Sequence, residues 1–399
     1  MAIANRGQAA LLYAVFVDLL GFGMLIPDIQ LRAEKLVPAG MEKGILIGAL
    51  LASTFVIQTV VSPRWGVVSD RRGRKPIFLV CQGLSVLSMV CYGLASSFLW
   101  LALSRLVAGL GAANVAVAQA AVADSSTEEN RVAAMGRMSA AISSGLIAGP
   151  AVTGLLAHLG HLEMVGLIAA GMSASGLLAV ALLTPFEAPK PQSQTAESKK
   201  GLAFRLLVDL PQLRPLVLIA VVAWFSLATL EGTFGRLLHD TLGMGQREFG
   251  ILFSWESLLG VLVQAFALQW VVRKVRDTPL LRMAYISQGV GLALTPSASV
   301  LLTVMPPMIT LMLASTLYAV GSSLANPTVN SLCSKLVPAD RQGELFGILQ
   351  GTRSIGFVLG PLLGGKLYDL NPWGPYLLAG GVCACAAVLV PKIESPEKP

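Results

Sequence analysis

One apolar stretch of about twenty residues after another, separated by short polar turns, restricts this chain to a lipid solvent. A hydrocarbon core about 30 Å thick needs about 20 residues of helix to cross it. Twelve segments meet that length: 9–31, 44–66, 76–96, 98–123, 133–157, 164–185, 215–238, 248–272, 280–301, 306–334, 342–368 and 374–391. Hydrocarbon offers the backbone no hydrogen-bond partner, so each is expected to be an α-helix and the fold an all-α polytopic membrane protein. Composition agrees: 13% of residues are charged, against about 25% in soluble domains. The net charge of +7 forms no continuous basic stripe with interleaved aromatics, so no nucleic-acid partner is expected. Cys81, Cys91, Cys333, Cys383 and Cys385 all lie in apolar runs with no CxxC pair. They read as small buried hydrophobes with no disulfide or metal role. The first apolar run is too long for a signal-peptide core and counts as the first span.

The breaks between spans are short except at 186–213, where EAPKPQSQTAESKK precedes the short amphipathic piece GLAFRLLVDLPQLR. A Pro/Ser/Gln-rich stretch after the sixth span marks a linker. It divides the chain into a first six-helix bundle over 1–185 and a second over 214–399. An even number of spans puts both termini on one side. That side collects 21 lysines and arginines and the other 6, which by the positive-inside rule makes the termini and the linker cytoplasmic. The halves also repeat. Gly145-LIA-Gly149-Pro150-AVT-Gly154 in the fifth span returns as Gly356-FVL-Gly360-Pro361-LLG-Gly364 in the eleventh, 211 residues later. Repeated bundles of this kind are a transporter architecture with the site between repeats at mid-membrane.

A charge at the centre of a span costs about 2.5–3.5 kcal/mol on insertion scales, which makes each one a candidate for function. Five are found: Asp18, Arg105, Glu231, Glu256 and Arg353. None falls in the third helix of any three-helix set, so all five sit on potential cavity helices. Counted along helices at about 1.5 Å per residue, Glu231, Glu256 and Arg353 reach similar depths and are expected to form one network. Two carboxylates in low dielectric do not both stay ionised, so one should carry a proton near neutral pH. Asp18 and Arg105 are expected to pair in the first half. Asp18, Glu231 and Glu256 are therefore the proton-coupling candidates. Arg105 and Arg353 are the cavity charges, and Arg353 leaves room for an anionic or zwitterionic substrate. Polar cavity candidates are Gln58, Asn114, Gln119, Gln264, Asn326, Asn330 and Gln350, each as suited to an interhelical hydrogen bond as to a ligand.

Between the second and third spans the chain reads Gly66-VVS-Asp70-Arg71-Arg72-Gly73-Arg74-Lys75-Pro76. This resembles the GxLxDRxGRKxxL signature of the major facilitator superfamily, with Val68 where Leu is usual. Ser104-Arg105 with Gly109 and Gly111 is similar to the family's fourth-helix motif. Gly145, Gly149, Pro150 and Gly154 are similar to its antiporter motif. Asp18 with Gly21, Gly23 and Pro27 resembles the first-helix pattern of drug:proton antiporters. The resemblance spans the chain and is nearest the tetracycline-efflux-like multidrug exporters. It implies a gating loop in which Asp70 latches the cytoplasmic side, Arg74 and Asp124 complete a charge relay, and Gly66 and Gly73 allow close packing and a tight turn. The Gly-Pro motifs, with Gly360 and Pro361 in the second half, imply close helix packing. Ser88 stands where a tetracycline exporter would carry an acid, the eighth span has Glu256 and no histidine, and WVVRKVRDTP is only a degenerate echo of the loop signature. Tetracycline itself is not the expected substrate.

Two decoys are set aside. Gly360-PLLG-Gly365-Lys366-Leu367 matches most of a phosphate-binding loop, but Leu367 replaces the required hydroxyl residue and the stretch lies in a span. His158 and His161 supply two metal ligands where a site needs more. With no nucleophile–base arrangement in a soluble segment, no enzyme is expected. The expected function is proton-coupled antiport of small amphipathic molecules out of the cell by alternating access. The protein would be a multi-pass monomer in the cytoplasmic membrane, with the proton gradient as coupling source and no cofactor. A uniporter or symporter of a metabolite or organic anion on the same fold is the alternative, and a non-transporting receptor a further one.

Overall fold

The computed structural model describes residues 2–126, 130–184, 202–301, 305–338 and 341–390. All regular structure among them is helical. The elements are α1 (Ala2–Leu36), α2 (Lys43–Arg72), α3 (Arg74–Gly93), α4 (Phe98–Gly111), α5 (Asn114–Asp124), α6 (Arg131–His158), α7 (Val165–Leu183) and α8 (Leu202–Asp209). They continue with α9 (Leu213–Leu242), α10 (Gln246–Leu262), α11 (Leu268–Lys274), α12 (Asp277–Leu294), α13 (Pro307–Leu336), α14 (Gln342–Leu370) and α15 (Gly374–Leu389). Among the described residues, eight helical stretches are long and apolar enough to cross a membrane, with α4 and α5 counted as one stretch.

The breaks have local causes. Gly73 adopts φ 95°, which an L side chain resists, and so separates α2 from α3. Ser97 caps α4 by accepting from the Trp100 N–H. Gly243, at φ 63°, closes α9 with left-handed geometry. The fourth expected span is two helices parted at Ala112–Ala113, and the eighth is interrupted by a π-helical turn, Val263–Ala267, between α10 and α11. The amphipathic piece expected near the linker is α8, whose Leu206 is buried. The expected linker residues 186–201 lie outside the described residues.

The chain divides into two compact units. One holds α1, α2 from Leu50 onward, α3 to α7 and the first turn of α10; the other holds the first turns of α2, α8, α9 and the remainder through α15. In the first unit α1 packs on α6 and α7, and α3 on α4 and α7. In the second α9 packs on α14, and α12 on α13 and α15. The repeat read from the sequence reappears inside each unit. A methyl group at Gly145 would lie 2.5 Å from the Phe16 carbonyl of α1, and one at Gly149 would meet the Gly23 backbone. In the second unit Gly356 and Gly360 face Trp224, Phe225 and Ala228 of α9 in the same way. Polarity runs opposite to a soluble protein. Leu182, Phe266, Leu370 and Val388 are exposed, while Asp18, Gln82, Asn114 and Ser173 are buried. The stretch resembling a phosphate loop is continuous helix within α14, so its amides are committed to the helix.

Candidate functional site

Asp18 lies at mid-length of α1 and is 5% exposed. Its Oδ1 accepts from Ser173 Oγ of α7 at 2.6 Å and from Gln82 Nε2 of α3 at 3.1 Å. Its Oδ2 accepts from Asn114 Nδ2 of α5 at 2.6 Å and from Ser85 Oγ at 3.5 Å. Gln82 also donates to Ser173 Oγ at 2.8 Å, and its own Oε1 accepts from Asn114 at 3.0 Å. Three helices thus deliver donors to one carboxylate on a fourth. An ionised carboxylate only accepts, so the shell supplies hydroxyls and amides where a cation would otherwise stand.

The expected Asp18–Arg105 pair is not formed. Arg105 of α4 places its guanidinium 5.0 Å from the Tyr92 ring centroid, and its Nε donates to Ser104 Oγ at 3.3 Å. Tyr92 of α3 donates its hydroxyl to Asp28 at 2.7 Å, and Arg32 pairs with Asp28 at 2.9 Å while lying 4.8 Å from the same ring. The physical reason is that polar side chains on α3, α5 and α7 saturate Asp18, while an aromatic face takes the guanidinium. Sequence reading missed Gln82, Ser173, Asp28 and Tyr92 as partners. The signal available for Asp28 was its i,i+4 spacing to Arg32 on a helix.

In the second unit the expected network does assemble. Glu231 of α9 interacts electrostatically with Arg353 of α14, and Glu256 of α10 with Glu231. Arg353 lies 5.1 Å from the Trp224 ring centroid and 5.6 Å from that of Phe357. All three charged side chains are partly exposed, in contrast to Asp18 and Arg105. Tyr318 of α13 interacts electrostatically with both carboxylates. Nearby, Arg236 lies 4.4 Å from the Tyr368 ring and bonds Asp369 at 3.0 Å, while Tyr368 donates to Asp240 at 3.0 Å. This is an Arg-over-Tyr, Tyr-to-Asp arrangement like that of Arg32, Tyr92 and Asp28. Arg236, which is not among the five charges singled out from the sequence, is 5% exposed inside α9.

The loop signature forms a compact charge cluster. Arg74 pairs with Asp70, bonds Asp124 through Nε at 2.9 Å, and donates to Ser69 at 2.7 Å. The turn expected at Gly73 is present. The close packing expected at Gly66 is not, since a methyl group there would meet no atom within 4 Å. Arg71 is exposed. Gly154 and Pro150 of α6 pack on Gly250 of α10, and Gly360 and Pro361 lie in α14 against α9. The polar candidates separate. Asn114 belongs to the Asp18 shell, and Gln58 Nε2 donates to the Ala112 carbonyl at 3.4 Å. Gln119 and Asn326 are half-buried, and Gln264, Asn330 and Gln350 exposed.

These helices, with acids set within apolar spans and a Gly-Pro repeat in each unit, have counterparts among known proteins. The Major Facilitator Superfamily model matches residues 11–305 and 289–399. Multidrug resistance protein 1 of Bacillus subtilis is 28% identical over 394 residues, 98% of this chain and 97% of that protein. Quinolone resistance protein NorA of Staphylococcus aureus is 26% identical over 392 residues, 97% of this chain and 96% of that one. Among solved structures, the nucleoside transporter NupG aligns with a TM-score of 0.78 at 16% identity, covering 96% of this chain and 97% of its own. The human organic anion transporter MFSD10 aligns with a TM-score of 0.66 at 22% identity, covering 97% and 99%. The motifs read from the residues and the match along the whole length agree, and the chain belongs to the Major Facilitator Superfamily.

Proposed function

We propose that this protein is a secondary active transporter that exports small amphipathic molecules in exchange for protons. Twelve spans in two six-helix bundles, both termini cytoplasmic, would alternate access to a central site. The observation that carries the reading is the partly exposed Glu231–Glu256–Arg353 cluster in a chain similar along its length to multidrug and quinolone resistance proteins. A carboxylate pair of this kind has a use for one proton. Two neighbouring negative charges in low dielectric repel, and Arg353 neutralises one of them, so the other is the natural proton carrier. A cationic or zwitterionic substrate can displace that proton, which is the elementary step of antiport. Asp18, held by donors alone, is the second proton candidate. Purified protein in liposomes carrying a fluorescent amphipathic dye, with an imposed pH gradient, tests the reading. Uphill dye movement is expected in the wild type, with coupling abolished in Glu231→Gln or Glu256→Gln while dye binding persists. Gradient-independent movement in wild type and variants alike overturns it.

A further inference from the structure

The two Arg–Tyr–Asp arrangements have opposite charge balance. In the second unit one arginine, Arg236, is accompanied by two acids, Asp240 and Asp369. The surplus negative charge is met by the backbone, since Asp369 Oδ2 accepts the Gly44 N–H at 2.6 Å, at the first turn of α2. A carboxylate at a helix N-terminus is stabilised by the peptide dipoles there. In the first unit the ratio is reversed. One acid, Asp28, is accompanied by two arginines, Arg32 and Arg105, around the Tyr92 ring. Asp28 is already committed to Arg32 and to the Tyr92 hydroxyl. Arg105 is 3% exposed, and its Nη2 is buried without any hydrogen-bond partner.

An unpaired guanidinium in such surroundings is costly, and arginine cannot shed its proton to relieve the cost. Its ring contact with Tyr92 offsets only part of that. The bond on Nε, to Ser104 at 3.3 Å, is long for an N–H donor and leaves Nη2 unsatisfied. A planar fork of N–H donors matches a carboxylate in two-point geometry better than it matches any spherical anion.

We propose that Arg105, braced by Tyr92, Asp28 and Arg32, is an anion-docking group that receives the carboxylate of a zwitterionic or anionic substrate. This rests on the transport reading above and adds the substrate's chemical class to it.

The test is calorimetric titration of the full-length protein in detergent with three aromatic probes of matched size: 4-methylbenzoate, 4-methylbenzylammonium and 4-(aminomethyl)benzoate. The wild type is expected to bind the two carboxylates. Arg105→Gln is expected to weaken both by about tenfold or more while leaving the cation unchanged. Arg105→Lys, which keeps the charge and loses the fork, should weaken them less, and it serves as the test variant if Arg105→Gln does not fold. Unchanged carboxylate binding in the folded variant overturns the proposal, as does a wild type that binds only the cation. Displacement of 4-methylbenzoate by equimolar chloride also overturns it, since that marks a halide site. Gradient-driven dye efflux is measured in parallel on the same preparation. Efflux without carboxylate binding removes only this inference, whereas absence of efflux removes the transport reading beneath it.

Discussion

Ser173 and Asn114 each reach Asp18 at 2.6 Å, and Gln82 bridges them. A hydrogen bond to a charged group contributes about 1.5–3 kcal/mol, so the donors together can hold a carboxylate that no cation accompanies. Ser173→Ala and Asn114→Leu are each expected to lower stability by about that amount. The double variant should lose less than the sum, because an under-solvated Asp18 takes up a proton and the second donor then matters less. Thermal melts of the four proteins in detergent give the coupling energy, expected at about 0.5–3 kcal/mol for groups sharing one partner. Strictly additive losses would mean that the two donors do not serve a common charge. The sequence exposed Asp18 and Arg105 because a charge inside an apolar run is conspicuous. It did not expose their partners. Glutamine, serine and tyrosine occur throughout membrane helices at little cost, and which of them converge on one carboxylate depends on helix rotation, which spacing alone leaves undetermined.

Glycine rows govern how close helices come, and the same residue type has different consequences along them. Gly145 and Gly149 place the backbone of α6 against that of α1, with no room for a methyl group at Gly149 beside Gly23. Interfaces of small residues hold membrane helices together by close backbone contact. Gly149→Ala is therefore expected to force α1 and α6 apart, lowering the melting temperature and abolishing transport. Gly73→Ala should cost about 1–2 kcal/mol through its left-handed backbone and loosen the turn that presents Arg74. Gly66→Ala, facing open space, should melt like the wild type. Comparative melts of the three variants check all of this, and a Gly149→Ala protein as stable as Gly66→Ala refutes the packing argument. The sequence made the glycine rows and the Gly73 turn legible, because a row at i,i+4 and a glycine between polar residues have few other uses. A motif position states a residue type and not its neighbours, so Gly66 was assigned packing that is absent. The π-turn at Val263–Ala267 and the break at Ala112–Ala113 interrupt unbroken apolar pattern. Register changes of that sort are decided by tertiary contacts.

For the whole molecule, the distribution of basic residues makes a statement about sidedness that packing within either unit cannot make. On the expected twelve-span topology, lysines and arginines number 21 on the terminal side and 6 on the other, and cytoplasmic loops retain such an excess. Some of the minority are not topogenic in any simple sense, because Arg32 and Arg236 are engaged with Tyr92 and Tyr368 inside helices. Removing those two from the smaller group widens the asymmetry. On the terminal side the same excess also does structural service. Arg74 joins Asp70 to Asp124, and Arg341 at the start of α14 bonds Glu344 and, at 2.9 Å, Asp209 of α8. The basic residues from which the orientation is expected thus also tie loops and helix ends together. The expected consequence is directional. Asn130 lies between α5 and α6 and His161 between α6 and α7, both exposed and at opposite ends of α6. In a variant whose five cysteines are replaced, Asn130→Cys should react with a membrane-impermeant maleimide only after cells are permeabilised, and His161→Cys in intact cells. The reverse pattern would place the termini outside, put the Arg74 cluster on the wrong face for a cytoplasmic gate, and invert the direction of transport inferred for the protein.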